Sequence, residues 1–154
     1  VHLEMHDQHL VTDPRYLAWK EGRPQPETPG GKAFRETVSE AVARGVTIRR
    51  ARIVSEPVSD YVRWEHSLTA DHNIAAGELV RWLPRAFASA LPLPGNPFWV
   101  FNRRLVRFSL FGGDGQVVGH QFTEDRAVVD LCVAAFEAVW DLAIDHEDYS
   151  PPAA

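Results

Sequence analysis

Residues 46–84, VTIRRARIVSEPVSDYVRWEHSLTADHNIAAGELVRWLP, read in order as strand, helix and strand. The first nine, VTIRRARIV, are rich in β-branched residues and stop before the Glu56-Pro57 breaker, which favours a strand over Val46–Val54 in the middle of a sheet. Ser59 is placed to cap a helix over DYVRWEHSLT, and Asp60 stands in its first turn, where a negative charge meets the positive end of the helix dipole. ADHNIAAGE then reads as a loop and LVRWLP as a second strand. Two strands joined through a helix are expected to lie parallel in a right-handed crossover, and this unit decides the fold class.

Three arginines inside the first strand need an explanation. Alternation puts Arg50 and Arg52 on one face and Arg49 on the other. A buried charge without a partner is too costly to persist, so at least one of them must meet a carboxylate or reach a sheet margin.

Upstream, DPRYLAWKEG has the marks of a short helix, with Asp13 as N-cap, Pro14 at the first helical position and Gly22 as terminator. RPQPETPGG is too rich in proline and glycine for either helix or paired strand. Phe34, Val38 and Val42 then recur every four residues, one apolar stripe of a helix that ends at Gly45. Downstream, LPLPGNP is a proline-broken crossing. FWVF and RLVRFSLF follow as strands about a tight turn near Asn102 and Arg103, and GGDG turns the second strand into QVVGHQF. GGDG joins two strands and opens no helix, so it reads as a hairpin turn and not as a phosphate-binding loop. A last helix begins near a Thr123 cap and carries Val128, Leu131, Cys132, Ala135, Phe136, Val139, Trp140 and Ala143 at helical spacing.

The expectation is therefore one α/β (α+β) domain spanning 1–154: a mixed sheet with a strand-helix-strand unit and a C-terminal β-meander, flanked by helices. Residues 1–30 form a helical and loop N-terminal extension in this reading, 31–145 the core, and 146–154 a flexible tail. At 154 residues and 45% apolar, the chain is long enough for one sizeable core. Trp64, Trp82, Trp99 and Trp140 are expected to help build it.

A net charge of -5 hides a segregation: residues 1–43 carry -2, 44–107 carry +5 and 108–154 carry -8. The basic middle and acidic end can attract each other inside the fold, or present two faces to different partners. Direct nucleic-acid binding is disfavoured, because no reading helix is recognisable and the acidic end repels phosphate. A single cysteine, Cys132, excludes an internal disulfide framework and fits a reducing compartment. No apolar run is long enough to span a membrane and no signal segment opens the chain, so the expected location is the cytoplasm.

Ligands of parallel sheets usually sit beyond the carboxyl ends of the strands. Here those ends are VSEPVSD (54–60) and WLPR (82–85), which nominate Ser55, Glu56, Asp60, Arg63, Glu78, Arg81, Trp82 and Arg85 as ligand-binding residues. Glu56 and Glu78 serve either as an acid-base pair or as neutralising partners, with Arg81 or Arg85 expected to face one of them across a cleft. His2, Glu4, His6, Asp7 and His9 are spaced like metal ligands, but the spacing is permissive and a surface strand or coil accounts for them without a metal, as a helix end and loop do for Glu65, His66 and His72; no metal and no cofactor is assigned. Cys132, on the apolar stripe, reads as a buried inert thiol, and no catalytic residue is assigned.

The run RRARIVSEPVSDYVRWEHSLT, with AAGELVRWLPR and LPGNPFWVFNRRLVRFSLFGGDG after it, resembles a family of small uncharacterised actinobacterial proteins, a domain of unknown function often encoded beside helix-turn-helix regulators. The resemblance implies a setting and hardly any chemistry; the expected function is a non-catalytic binding or regulatory module that acts with such a regulator or with a small anionic ligand. A homodimer is compatible with it. A weaker resemblance is to the phospholipase D fold, in which Asn102, Pro97 and Gly95 would stand at the Asp, Lys and His places of the catalytic motif. Such a relative is degenerate, with neither nucleophile nor phosphoryl clamp. The competing reading is a small biosynthetic or hydrolytic enzyme using the carboxylates and arginines at the strand ends.

Overall fold

The computed structural model describes residues 1–9 and 12–152. In chain order the elements are β1 (His2–Glu4), α1 (Pro14–Lys20), α2 (Pro29–Ala43), β2 (Arg49–Val54), α3 (Asp60–Thr69), β3 (Leu79–Pro84), β4 (Phe98–Phe101), β5 (Leu105–Phe111), β6 (Val117–Thr123), α4 (Arg126–Leu142) and β7 (Ile144–Asp145). The strands form one mixed sheet in the order β6-β5-β4-β1-β2-β3-β7. β1, β2 and β3 run parallel, and every other pairing is antiparallel. This is the single α+β domain expected from the strand-helix-strand unit and the meander.

Local chemistry accounts for the boundaries. Asp13 accepts from the Arg15 amide at the start of α1, Thr28 caps α2 through Gly31, and Ser59 caps α3 through Val62. The β4–β5 hairpin turns on Asn102 and Arg103, both with positive φ (51° and 53°), a conformation that asparagine tolerates, and the Arg104 amide closes the turn on the Phe101 carbonyl at 3.0 Å. α4 starts later than the Thr123 cap implies. Asp125 receives the Ala127 and Val128 amides, while Thr123 serves the Asp125 amide instead.

Three segments depart from the sequence reading. His2–Glu4 is not an extension: it pairs with β2 on one side and β4 on the other, in the middle of the sheet. Three residues with polar alternation are too short to announce a strand. ADHNI, read as loop, continues α3 as a π-helical turn over Ala70–Ile74. The tail is docked at its start: the His146 amide donates to the Val80 carbonyl at 3.1 Å, and Tyr149, 4% exposed, stacks on Trp82 with ring centres 5.5 Å apart.

The two sheet faces differ in kind. On one, Leu3, Ala51, Ile53, Leu83, Phe98, Val100 and Val106 pack under Val129, Cys132, Phe136 and Val139 of α4. Burying side chains of this size contributes roughly 1.5–3 kcal/mol each, so this face carries most of the apolar stabilisation. Arg49 points the same way and is held by Glu137 of α4 through two hydrogen bonds of 2.9 and 2.7 Å. The opposite face is polar where α3 covers it, and that is where the site lies.

Candidate functional site

Strand alternation places His2 and Glu4 of β1, Arg50 and Arg52 of β2, Trp99 of β4, and Arg107, Ser109 and Phe111 of β5 on that second face. His6 and His9 follow β1, Glu65 reaches in from α3, and His120 stands on β6. Together with these residues, Pro97, Ile53, Val54 and Val117 line a cavity of about 180 Å³. A second cavity of about 230 Å³ beneath α1 and α3 shares Glu4, His9, Arg52 and Glu65 with the first, so these four residues form the wall common to both.

The floor is a network of buried ions. Glu4 accepts from Arg50 Nη1 at 2.6 Å and from Arg52 Nε at 2.5 Å. Arg50 also grips both oxygens of Glu78 at 3.0 Å, and Asn73 donates to the same carboxylate. Arg52 donates to Thr69 Oγ1 at 2.6 Å and lies 3.9 Å from Glu65, which accepts from the Tyr61 hydroxyl at 3.2 Å. The requirement that the strand arginines find anions is met by carboxylates from three separate elements.

These neighbours set protonation states. Burial pushes the Glu4 carboxyl up, but Arg50 and Arg52 outweigh it and hold the group well below the usual carboxylate range. Glu65 is pushed up to about 7, chiefly by burial, because Arg52 is already committed to Glu4 and compensates only in part. Burial lowers His2, His6 and His9, which are neutral imidazoles near pH 7. His2 stacks on Trp99 at 4.1 Å, and His6 and His9 meet Phe111 edge to face at 4.0 and 5.2 Å.

Polar atoms in this lining lack partners. Among the described residues, His2 Nδ1, His6 Nε2, His9 Nδ1 and Arg107 Nε are buried and make no hydrogen bond. His2 Nδ1 sits 3.6 Å from Glu4, beyond hydrogen-bonding range. Buried polar groups are nearly always satisfied in folded proteins, by protein, water or ligand, so these four nitrogens around one cavity leave it polar and open to a further partner. Among the described residues, no three His, Cys, Asp or Glu side chains converge closely enough to hold a metal ion.

Of the residues nominated from the strand ends only Glu78 belongs to this network; the others lie elsewhere, and the set does not gather as one group. Ser55 and Arg85 do meet: Arg85 Nε donates to Ser55 Oγ at 2.9 Å, and Asp7 binds the Ser55 amide and hydroxyl at 2.6 and 2.7 Å. Glu56 accepts from Tyr149 at 2.9 Å. Asp60 and Arg63 pair along α3 at 3.7 Å, and Arg63 also donates to the Val58 carbonyl. Trp82 is buried between Arg52 and Tyr149. Glu78, however, precedes β3 and therefore lies at the amino ends of the parallel strands, whereas Glu56 follows the carboxyl end of β2. Six strand residues at ~3.3 Å each separate those two ends by about 20 Å, so no Glu56–Glu78 pair forms. Arg81 faces the α4 side, donates to Asp145 at 2.8 Å and covers Trp140, so it faces neither glutamate.

The histidine cavity was not nominated from sequence, although its signal was present. His2, Glu4 and His6 fall on alternate positions, the period that puts side chains on one strand face. What hid it was the distance in sequence to Arg107, Phe111 and His120. Cys132 is buried on the apolar face, and burial pushes its thiol up to about 11, which leaves it inert. No described helix is long and apolar enough to cross a membrane.

No curated protein and no solved structure matches this chain. A family model does match, over residues 1–151, and the fold and cavity described above are therefore those of a member of the family described as domain of unknown function (DUF6879), to which this chain belongs.

Proposed function

We propose that the chain is a non-catalytic binding module that takes a small ligand into the histidine-lined cavity and presents the result to a protein partner. The observation that carries this is the set of orphan nitrogens on His2, His6 and His9 around one pocket. Neutral imidazoles each offer one donor and one acceptor, the adaptable polar groups a small-molecule site uses to fix orientation. The sparse covalent machinery agrees with binding over turnover: Cys132 lies on the other sheet face. If the chain is a degenerate phospholipase D relative, Gly95, Pro97 and Asn102 at the motif places supply neither nucleophile nor cation.

The partner we propose is a helix-turn-helix regulator. Support comes from the resemblance noted above and from β6, an edge strand that lines the cavity through Val117 and His120 and leaves Val118 and Phe122 67% and 60% exposed. Pairing of two copies through β6 is the alternative use of that edge.

Imidazole NMR tests the binding reading. Titration with a desalted small-molecule extract of the native host should shift His2, His6 and His9 and leave His66 and His146 in place, with no component of the extract consumed. Shifts confined to His66 and His146, or none, would overturn it. One observation favours a second reading, an acid-base enzyme: Glu65, with a pKa near 7, sits in the cavity wall. Consumption of an extract component that disappears in Glu65→Gln would establish that reading.

A further inference from the structure

We infer that the cavity selects a small, flat organic acid, whose oxyanion is held by Arg107 and whose body lies against Trp99 and Phe111. This rests on the reading of the cavity as a ligand site and specifies what enters it.

The argument starts from charge. Of the three arginines on this sheet face, Arg50 and Arg52 are neutralised by Glu4 and Glu78. Arg107 is not. Among the described residues its half-buried side chain makes no hydrogen bond and no ion pair, and its Nε is buried without an acceptor. Burial is the sole cause acting on its proton affinity, with no carboxylate to offset it. A guanidinium keeps its proton, so the mismatch is relieved by bringing an anion to it, and the planar fork fits the two oxygens of a carboxylate or phosphoryl group. Ser109, two residues along the same face of β5, adds a hydroxyl donor to the lining.

The neighbours specify the rest of the molecule. Trp99 lies directly across the strand pair from Arg107, with His2 stacked on it, and Phe111 stands at the other end of the same β5 face. An oxyanion at Arg107 therefore continues into a space bounded by aromatic surfaces, which favours a flat, apolar body. His6 and His9 meet Phe111, so their unpaired nitrogens are positioned for a hydroxyl or carbonyl on the end of the ligand remote from the acid. Because burial keeps these imidazoles neutral, they add polarity without adding charge, and the preference for an anion falls on Arg107. At roughly 10–15 Å³ per water-sized position, a cavity of about 180 Å³ holds about 12 to 18 such positions, enough for one ring with short substituents.

4-Hydroxybenzoate, its neutral amide 4-hydroxybenzamide, and inorganic phosphate separate the parts of this inference when titrated by tryptophan fluorescence and calorimetry. The acid should bind more than about tenfold tighter than the amide and than phosphate. Arg107→Gln should abolish that advantage while leaving the amide unchanged, and Arg107→Lys should retain part of it. A Gln variant that melts with the wild type shows that the loss is local, and Arg107→Lys carries the comparison if it does not. Equal binding of acid and amide, or an acid affinity indifferent to Arg107, would overturn the assignment of the anion. Phosphate binding as tightly as the acid would overturn the flat body. Failure of all three probes at millimolar concentration would overturn the ligand class, while the imidazole titration separately decides whether the cavity is a site at all.

Discussion

A carboxylate as fully covered as Glu78 persists because Arg50 holds both of its oxygens and Asn73 donates a further hydrogen bond. Removing it leaves the guanidinium buried with half its compensation, and breaking such a pair costs about 3–5 kcal/mol. Glu78→Ala should lose stability on that scale in urea melts. A loss below ~1 kcal/mol would mean that Glu4 alone neutralises Arg50. The sequence showed that the strand arginines needed anions and did not show which ones. Glu4 came from a segment read as an extension, and Glu65 and Glu78 from a helix and a loop whose approach to the sheet is fixed only by packing.

Elements with one apolar period were the legible ones. α4 announced itself through Val128, Leu131, Cys132, Ala135, Phe136 and Val139, and its N-cap moved by only two residues. Phe136 is fully buried on the sheet, so Phe136→Ala should cost ~3–5 kcal/mol by chemical denaturation. Trp140, partly exposed and used as a lid over Arg49 and Arg81, should cost less. A small loss at Phe136 would mean that the helix is not docked as described. β1 and β7, by contrast, have three and two residues. Strands that short carry no period, and only their partners make them strands. The candidate site shared that fate, since its first wall is β1.

For the whole molecule, partly and fully buried groups set opposing responses to acid. His2, His6, His9, His66, His72 and His146 are all lowered from 6.5, mainly by burial. Their contribution is fully present above pH 6.5 and is lost as pH falls and the folded protein resists protonation. Glu65 acts in reverse: raised from 4.5 to about 7, it favours the folded state at low pH and loses that contribution as pH rises through this window. Below pH 6.5 the histidines therefore draw stability down as they are forced to protonate, and Glu65 opposes them. Glu65→Gln should be more stable than wild type above pH 7 and lose stability more steeply on acidification, as followed by thermal melts. A variant with an unchanged profile would place the Glu65 carboxyl in water. One further property follows from the position of β1. It is a splint: residues 2–4 join a parallel half built from the first 84 residues to an antiparallel half built from residues 98–123. A chain cut in the 89–97 connection should therefore yield two pieces that reassemble on mixing, with the cavity as the product of their union. Fragments of the meander half that bind 4-hydroxybenzoate unaided would contradict this, because half the walls would then be dispensable.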